Sequence, residues 1–164
     1  MLESLLARLR RAIDSIAPSA ETLARREAVA VQSACCNLLM EVARLESTGT
    51  AQKTAAVAQA LREHHFVVAD DGLASLIADA ARPESRLTSY YEPVAAINRR
   101  WGAEQKARLV EQMWRVALAD GGIDEYEDQL VRKLADLLYV PHTDLILARR
   151  RVENAGDGKR KVAQ

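Results

Sequence analysis

Along nearly the whole chain, apolar residues recur at i, i+3, i+4 and i+7, the spacing of an amphipathic α-helix, with no sustained strand alternation. Leu2, Leu5, Leu6, Leu9, Ile13 and Ile16 mark a first helix within 1–18, with Arg8, Arg10, Arg11 and Asp14 between them. Leu23, Val31, Ala34, Cys35, Leu38, Leu39 and Val42 predict a second from about Glu21 to Leu45, stopped by Ser47-Thr48-Gly49-Thr50. A third is expected to run to about His65 with Ala56, Val57, Ala60 and Leu61 inward. Asp70-Asp71-Gly72 offers capping oxygens for a fourth, whose stripe is Leu73, Leu76, Ile77 and Ala80.

Pro83 closes that segment, and Leu87, Tyr90, Tyr91, Val94 and Ile97 predict a fifth helix in which Pro93 fits only the first turn. A sixth spans about Ala103 to Leu118 with Val110, Met113, Trp114 and Ala117 on one face, and Asp120-Gly121-Gly122 breaks it. The seventh, about Glu125 to Leu138, is expected to bury Leu130, Val131, Leu134, Leu137 and Leu138, and an eighth lies between Pro141 and Val152. Short breaks between helices imply antiparallel hairpins, so the expected fold is an all-α bundle of seven to eight helices. Three segments follow: an amino-terminal amphipathic helix at 1–18, a helical domain at 19–155, and a flexible basic tail at 156–164.

Composition narrows the functions open to this bundle. The 23 basic and 23 acidic residues cancel, so no global field recruits nucleic acid, and Arg149-Arg150-Arg151 with Lys159-Arg160-Lys161 lacks the interleaved aromatics of a nucleic-acid surface. Cys35 and Cys36 are adjacent and mid-helix, where a bridge would strain the intervening peptide. They read as core filler in a reducing compartment, and a cytoplasmic location is expected. The first helix is interrupted by charges, unlike a secretory signal. Three placements are open to it: packed on the domain, packed on a partner, or lying on a membrane surface. No phosphate-cradling glycine loop and no Ser-His-Asp arrangement is present, so the chain is read as non-enzymatic.

The densest chemistry is Ala119-Asp120-Gly121-Gly122-Ile123-Asp124-Glu125-Tyr126-Glu127-Asp128, with five carboxylates in ten residues between two helices. Asp120, Asp124 and Glu127 are the candidate ligands of a divalent cation, Ca²⁺ or Mg²⁺, because hard oxygens on a glycine turn suit those ions. The turn is not an EF-hand: with Asp120 at position one, Val131 falls where a bidentate glutamate is needed. A second reading needs no cation, since Asp124-x-x-Glu127 is a capping-box signature and acids favour a helix start. Neighbouring histidines such as His64 and His65 point about 100° apart on a helix, so with His142 they make a poor metal site.

Sliding the chain by 74 residues places Val42-Ala43 on Val116-Ala117, Val57 on Val131, Glu46 on Asp120, Thr50 on Asp124 and Lys53 on Glu127, a weak internal duplication. The run from Leu109 through Ala119-Asp120-Gly121, with Glu127 through Leu138, resembles the tellurite-resistance TerB-like family, which is related to the amino-terminal region of the membrane-linked co-chaperone DjlA. The resemblance covers about Glu27 to Glu153 and implies a small all-helical domain with an Ala-Asp-Gly turn and acidic helix start in each of two halves. The first half departs from that pattern: at the matched positions only Glu46 keeps a carboxylate, and Lys53 brings a fixed cation. If the turns face each other, Lys53 stands in for a metal beside Asp120 or Glu127.

The resemblance implies an interaction or sensing module, linked to tellurite or other stress resistance, that binds a cation or a basic partner at the acidic turn. The alternative is a structural adaptor whose acids only cap helices and which binds through its amino-terminal helix. A protein partner is expected on both readings, and self-association is left open.

Overall fold

Two helical hairpins supply the frame, each a long helix turning back into a shorter one. The computed structural model describes residues 2–45, 50–63 and 70–162. Its elements are α1 (Leu2–Ile16), α2 (Ala20–Ala43), α3 (Thr50–Glu63), α4 (Asp70–Ala80), a 3-10 turn at Pro83–Ser85, α5 (Tyr91–Arg100), α6 (Ala103–Leu118), α7 (Glu125–Leu137) and α8 (His142–Val162). Among the described residues there are eight α-helices and no strand. Shifted by 74 residues, α6 and α7 fall on 29–44 and 51–63, against α2 ending at Ala43 and α3 spanning Thr50–Glu63. The 74-residue register thus sets one helical hairpin on the other.

Burial explains why so few aromatic residues suffice. Cys35, Cys36, Leu38, Leu39 and Val42 of α2 meet Val57 and Leu61 of α3, Ile97 of α5, Leu109, Met113 and Trp114 of α6, and Val131 and Leu134 of α7 in one core. α2 packs chiefly against α5, and α6 against α8. Ser19 caps α2, its Oγ accepting from the Thr22 amide at 3.1 Å. Pro93 lies in the first turn of α5, where its missing N–H breaks no helical bond. Burial raises the thiol pKa of Cys35, and the charge of Cys36 adds to it; Cys36 is pushed up to about 12 by burial, with Arg44 opposing. Both cysteines are core residues held as thiols.

Several expectations need correcting. Leu23, Tyr91 and Leu137 are exposed, not buried. Leu23 lies on the exposed amino-terminal part of α2; Tyr91 sits at the very start of α5; at the end of α7, Leu138 takes the inward place. Leu87 precedes α5, following the 3-10 turn. The eighth helix does not end near Val152: helical backbone continues to Val162, through Gly156 and Gly158, where a flexible tail was expected. Gly156 lies against Leu118, close enough that an added Cβ would touch it at 3.6 Å, so α6 supports this stretch.

Nor does α1 pack its stripe on the domain. Its six large apolar residues, Leu2 to Ile16, are 57–82% exposed. No helix among the described residues is long and apolar enough to cross a membrane. Glu46, Ser47, Thr48, Gly49, His64 and His65 lie outside the described residues.

Candidate functional site

The acidic turn is organised by its backbone. Leu118 ends α6, and the Gly121 amide donates to its carbonyl at 3.0 Å, with Gly121 at φ 111°, a conformation that favours glycine. Asp124 then caps α7: its Oδ1 accepts from the Glu127 amide at 2.7 Å, and Glu127 Oε2 accepts from the Asp124 amide at 3.1 Å. This is the capping box read from the sequence, and it supplies partners for two amide groups at the helix start.

The box uses one oxygen of Glu127 and aims the other inward. There Lys53, in the first turn of α3, donates from Nζ to Glu127 Oε1 and lies 3.3 Å from Asp120 Oδ2. Lys53 and Glu127 side chains are 0% exposed and Asp120 is 15% exposed. Positions 74 residues apart, equivalent in the two hairpins, thus touch each other. Taking an ammonium and a carboxylate out of water costs several kcal/mol per ion, an amount returned only where pairing and further hydrogen bonds are good. Glu127 has both, through Lys53 and the Asp124 amide. Burial pulls the Lys53 pKa down, but hydrogen bonding and charge from Glu127, and then from Asp120, outweigh it and leave the pKa above the ordinary lysine value. Lys53 therefore stays charged at neutral pH. The stability tied to its raised pKa is full below the unfolded-lysine pKa of about 10.4 and is lost as pH climbs through the folded value.

The turn brings together all three candidate ligands, but four of their six carboxylate oxygens already hold partners. Asp124 Oδ1 holds the Glu127 amide, Glu127 Oε2 holds the Asp124 amide, and Asp120 Oδ2 and Glu127 Oε1 face one ammonium. Calcium takes six to eight oxygens at about 2.3–2.6 Å, and an ion bridging Asp120 to Glu127 would need the space of Lys53 Nζ. The donor set does not fit a divalent ion while Lys53 stands there. Among the described residues, no group of three or more His, Cys, Asp or Glu is arranged to hold a metal.

A second charged cluster flanks the turn. Asp128 accepts from Arg132 Nε at 2.5 Å and from Arg149, which also donates to Glu153 at 2.8 Å and lies 5.1 Å from the Trp114 ring centroid. The Arg132 hydrogen bond lowers the Asp128 pKa, burial opposes, and the charges of Arg132 and Arg149 add to the lowering. Read only as part of a basic run in the sequence, Arg149 gives no hint of this role, and α8 runs on past Val152 to bring Glu153 beside it. The signal was present in Asp128 and Arg132, and in Arg149 and Glu153, each four apart on a helix.

Residues 32–150, more than half of the chain, match the family described as Tellurite resistance protein TerB. The matched span holds α2 from residue 32, α3 to α7 and the acidic turn, and leaves α1 outside. Curated proteins and solved structures give no match.

Proposed function

Because this chain belongs to the TerB family, we propose that it is a non-enzymatic, cytoplasmic interaction module whose polar centre is closed by its own lysine. The family is not a known enzyme family, and its description links the proposal to tellurite resistance. The observation that carries the reading is the Lys53 ammonium between Glu127 and Asp120, where a divalent cation would otherwise be drawn to the acids. On this reading the acids cap α7 and clamp α3, and the module works by holding surfaces for protein partners.

One such surface is α1. Its exposed leucines and isoleucines lie outside the core, so removing them should not disturb the bundle. Deleting residues 1–17 is expected to leave the melting temperature unchanged and to abolish capture of the partner or of a second copy. A fall in melting temperature would instead place α1 in the folded body.

The cation reading is tested directly by calorimetry. Metal-stripped wild-type protein titrated with Ca²⁺ and with Mg²⁺ is expected to give no saturable heat. Saturable binding that vanishes in Asp120→Asn/Asp124→Asn would overturn the lysine-closed reading and make the turn a cation sensor, with Lys53 displaced on binding.

A further inference from the structure

Large apolar side chains that the helical pattern sends to the core instead meet at one place on the surface. A groove of about 800 Å³ runs between α5, the loop before it and the end of α7, lined by Leu87, Tyr90, Tyr91, Val94, Leu137 and Tyr139. Tyr91, Leu137 and Tyr139 are 74%, 40% and 79% exposed. Asn98 ties the two walls together, its Nδ2 donating to the Leu137 carbonyl at 3.0 Å. The charged lining residues are Arg99 and Lys133, and no acid lines the groove. Lys133 Nζ lies 5.2 Å from the Tyr90 ring centroid, and Lys106 Nζ lies 5.7 Å from that of Tyr139. The nearby Glu41 is buried and held by Arg44 and the Leu87 amide.

Tyr139 adds a second observation. It ends α7 with φ 58°, its amide bonded to the Asp136 carbonyl at 3.0 Å and that of Val140 to the Ala135 carbonyl at 2.9 Å. That is the Schellman stop, whose left-handed position favours glycine and strains the backbone of any residue with a side chain. An exposed aromatic ring occupies a position where glycine would stabilise the backbone, and it stands at the rim of the groove.

We infer that this groove binds an acidic, aromatic-containing peptide segment of a partner protein. Arg99, Lys133 and Lys106 supply cations for its carboxylates, and Leu87, Val94, Leu137 and the three tyrosines supply a bed for its apolar side chains. From Tyr91 to Arg99 the α5 wall is about 12 Å long at 1.5 Å per residue, the length of about four extended residues. Charge argues against α1 of a second copy, which carries Arg8, Arg10 and Arg11 against Glu3 and Asp14, and against the basic carboxy-terminal end. The inference rests on the reading of the chain as an interaction module. Its test reads peptide binding while the cation titration reads heat at the turn, so either can fail alone.

The test is fluorescence anisotropy on the full chain with a fluorescein-labelled octapeptide alternating glutamate and phenylalanine, beside a matched lysine–phenylalanine peptide. The acidic peptide is expected to bind saturably and the basic one not. Arg99→Glu/Lys133→Glu, at two exposed positions, should weaken the acidic peptide at least about tenfold and admit the basic one. Tyr139→Gly should melt no lower than wild type yet bind more weakly, a split that a merely structural role would not produce. The inference is overturned if the acidic peptide shows no saturation up to about 1 mM. Equal binding of both peptides, indifference to the charge reversal, or retention on phosphatidylserine vesicles in place of peptide binding would overturn it equally.

Discussion

Lys53→Met is expected to destabilise the protein by about 3–5 kcal/mol, because it leaves the Glu127 carboxylate buried without its cation. For a chain of this size that is a drop of roughly 6–20 °C in melting temperature. The loss does not measure the worth of the ion pair, since most of it is the penalty of an uncompensated buried charge. A second substitution separates the two. Glutamine at the third helical position keeps the capping box but carries no charge, so Lys53→Met/Glu127→Gln should regain much of the lost stability. Urea denaturation of the wild type, the two single variants and the double variant closes the cycle. If the double variant is as unstable as the sum of the single ones, the two groups do not interact and the closed polar centre is refuted.

Trp114 carries the second large effect. It is fully buried in α6, and Arg149 of α8 lies over its ring. Trp114→Ala is expected to cost about 3–5 kcal/mol through lost burial and the cavity left between α6 and α8. Trp114→Phe should cost far less, about 1 kcal/mol. Phenylalanine keeps a ring under Arg149 and removes an indole N–H that has no hydrogen-bond partner among the described residues. Far-UV circular dichroism during urea unfolding measures both variants without relying on tryptophan emission. Equal costs for alanine and phenylalanine would mean that the indole N–H, and not the ring, is what the core needs.

These two residues were legible in the sequence to different degrees. Trp114 falls on the apolar stripe with Val110, Met113 and Ala117, and helical periodicity alone sends it inward. Lys53 has no such signal, because a lone lysine on a helix reads as solvated. It drew notice only through the 74-residue register that sets it opposite Glu127, and the register does not say that the two side chains touch. Their contact depends on how α3 packs against the end of α6, a non-local arrangement.

What the sequence determined by itself is therefore what short-range chemistry determines: eight helical segments, the Asp124 cap, the proline in the first turn of α5, the hairpin repeat and its TerB-like acidic turn. Caps, turns and the 3.6-residue stripe act within a few residues, so they can be read along the chain. The tertiary structure decided which apolar faces are covered. It left the stripe of α1 bare, extended α8 along α6 past two glycines, and turned Tyr91, Leu137 and Tyr139 outward to line a groove. It also chose a lysine as the cation of the acidic turn. Burial and charge pairing are properties of two elements brought together, and neither element carries them alone.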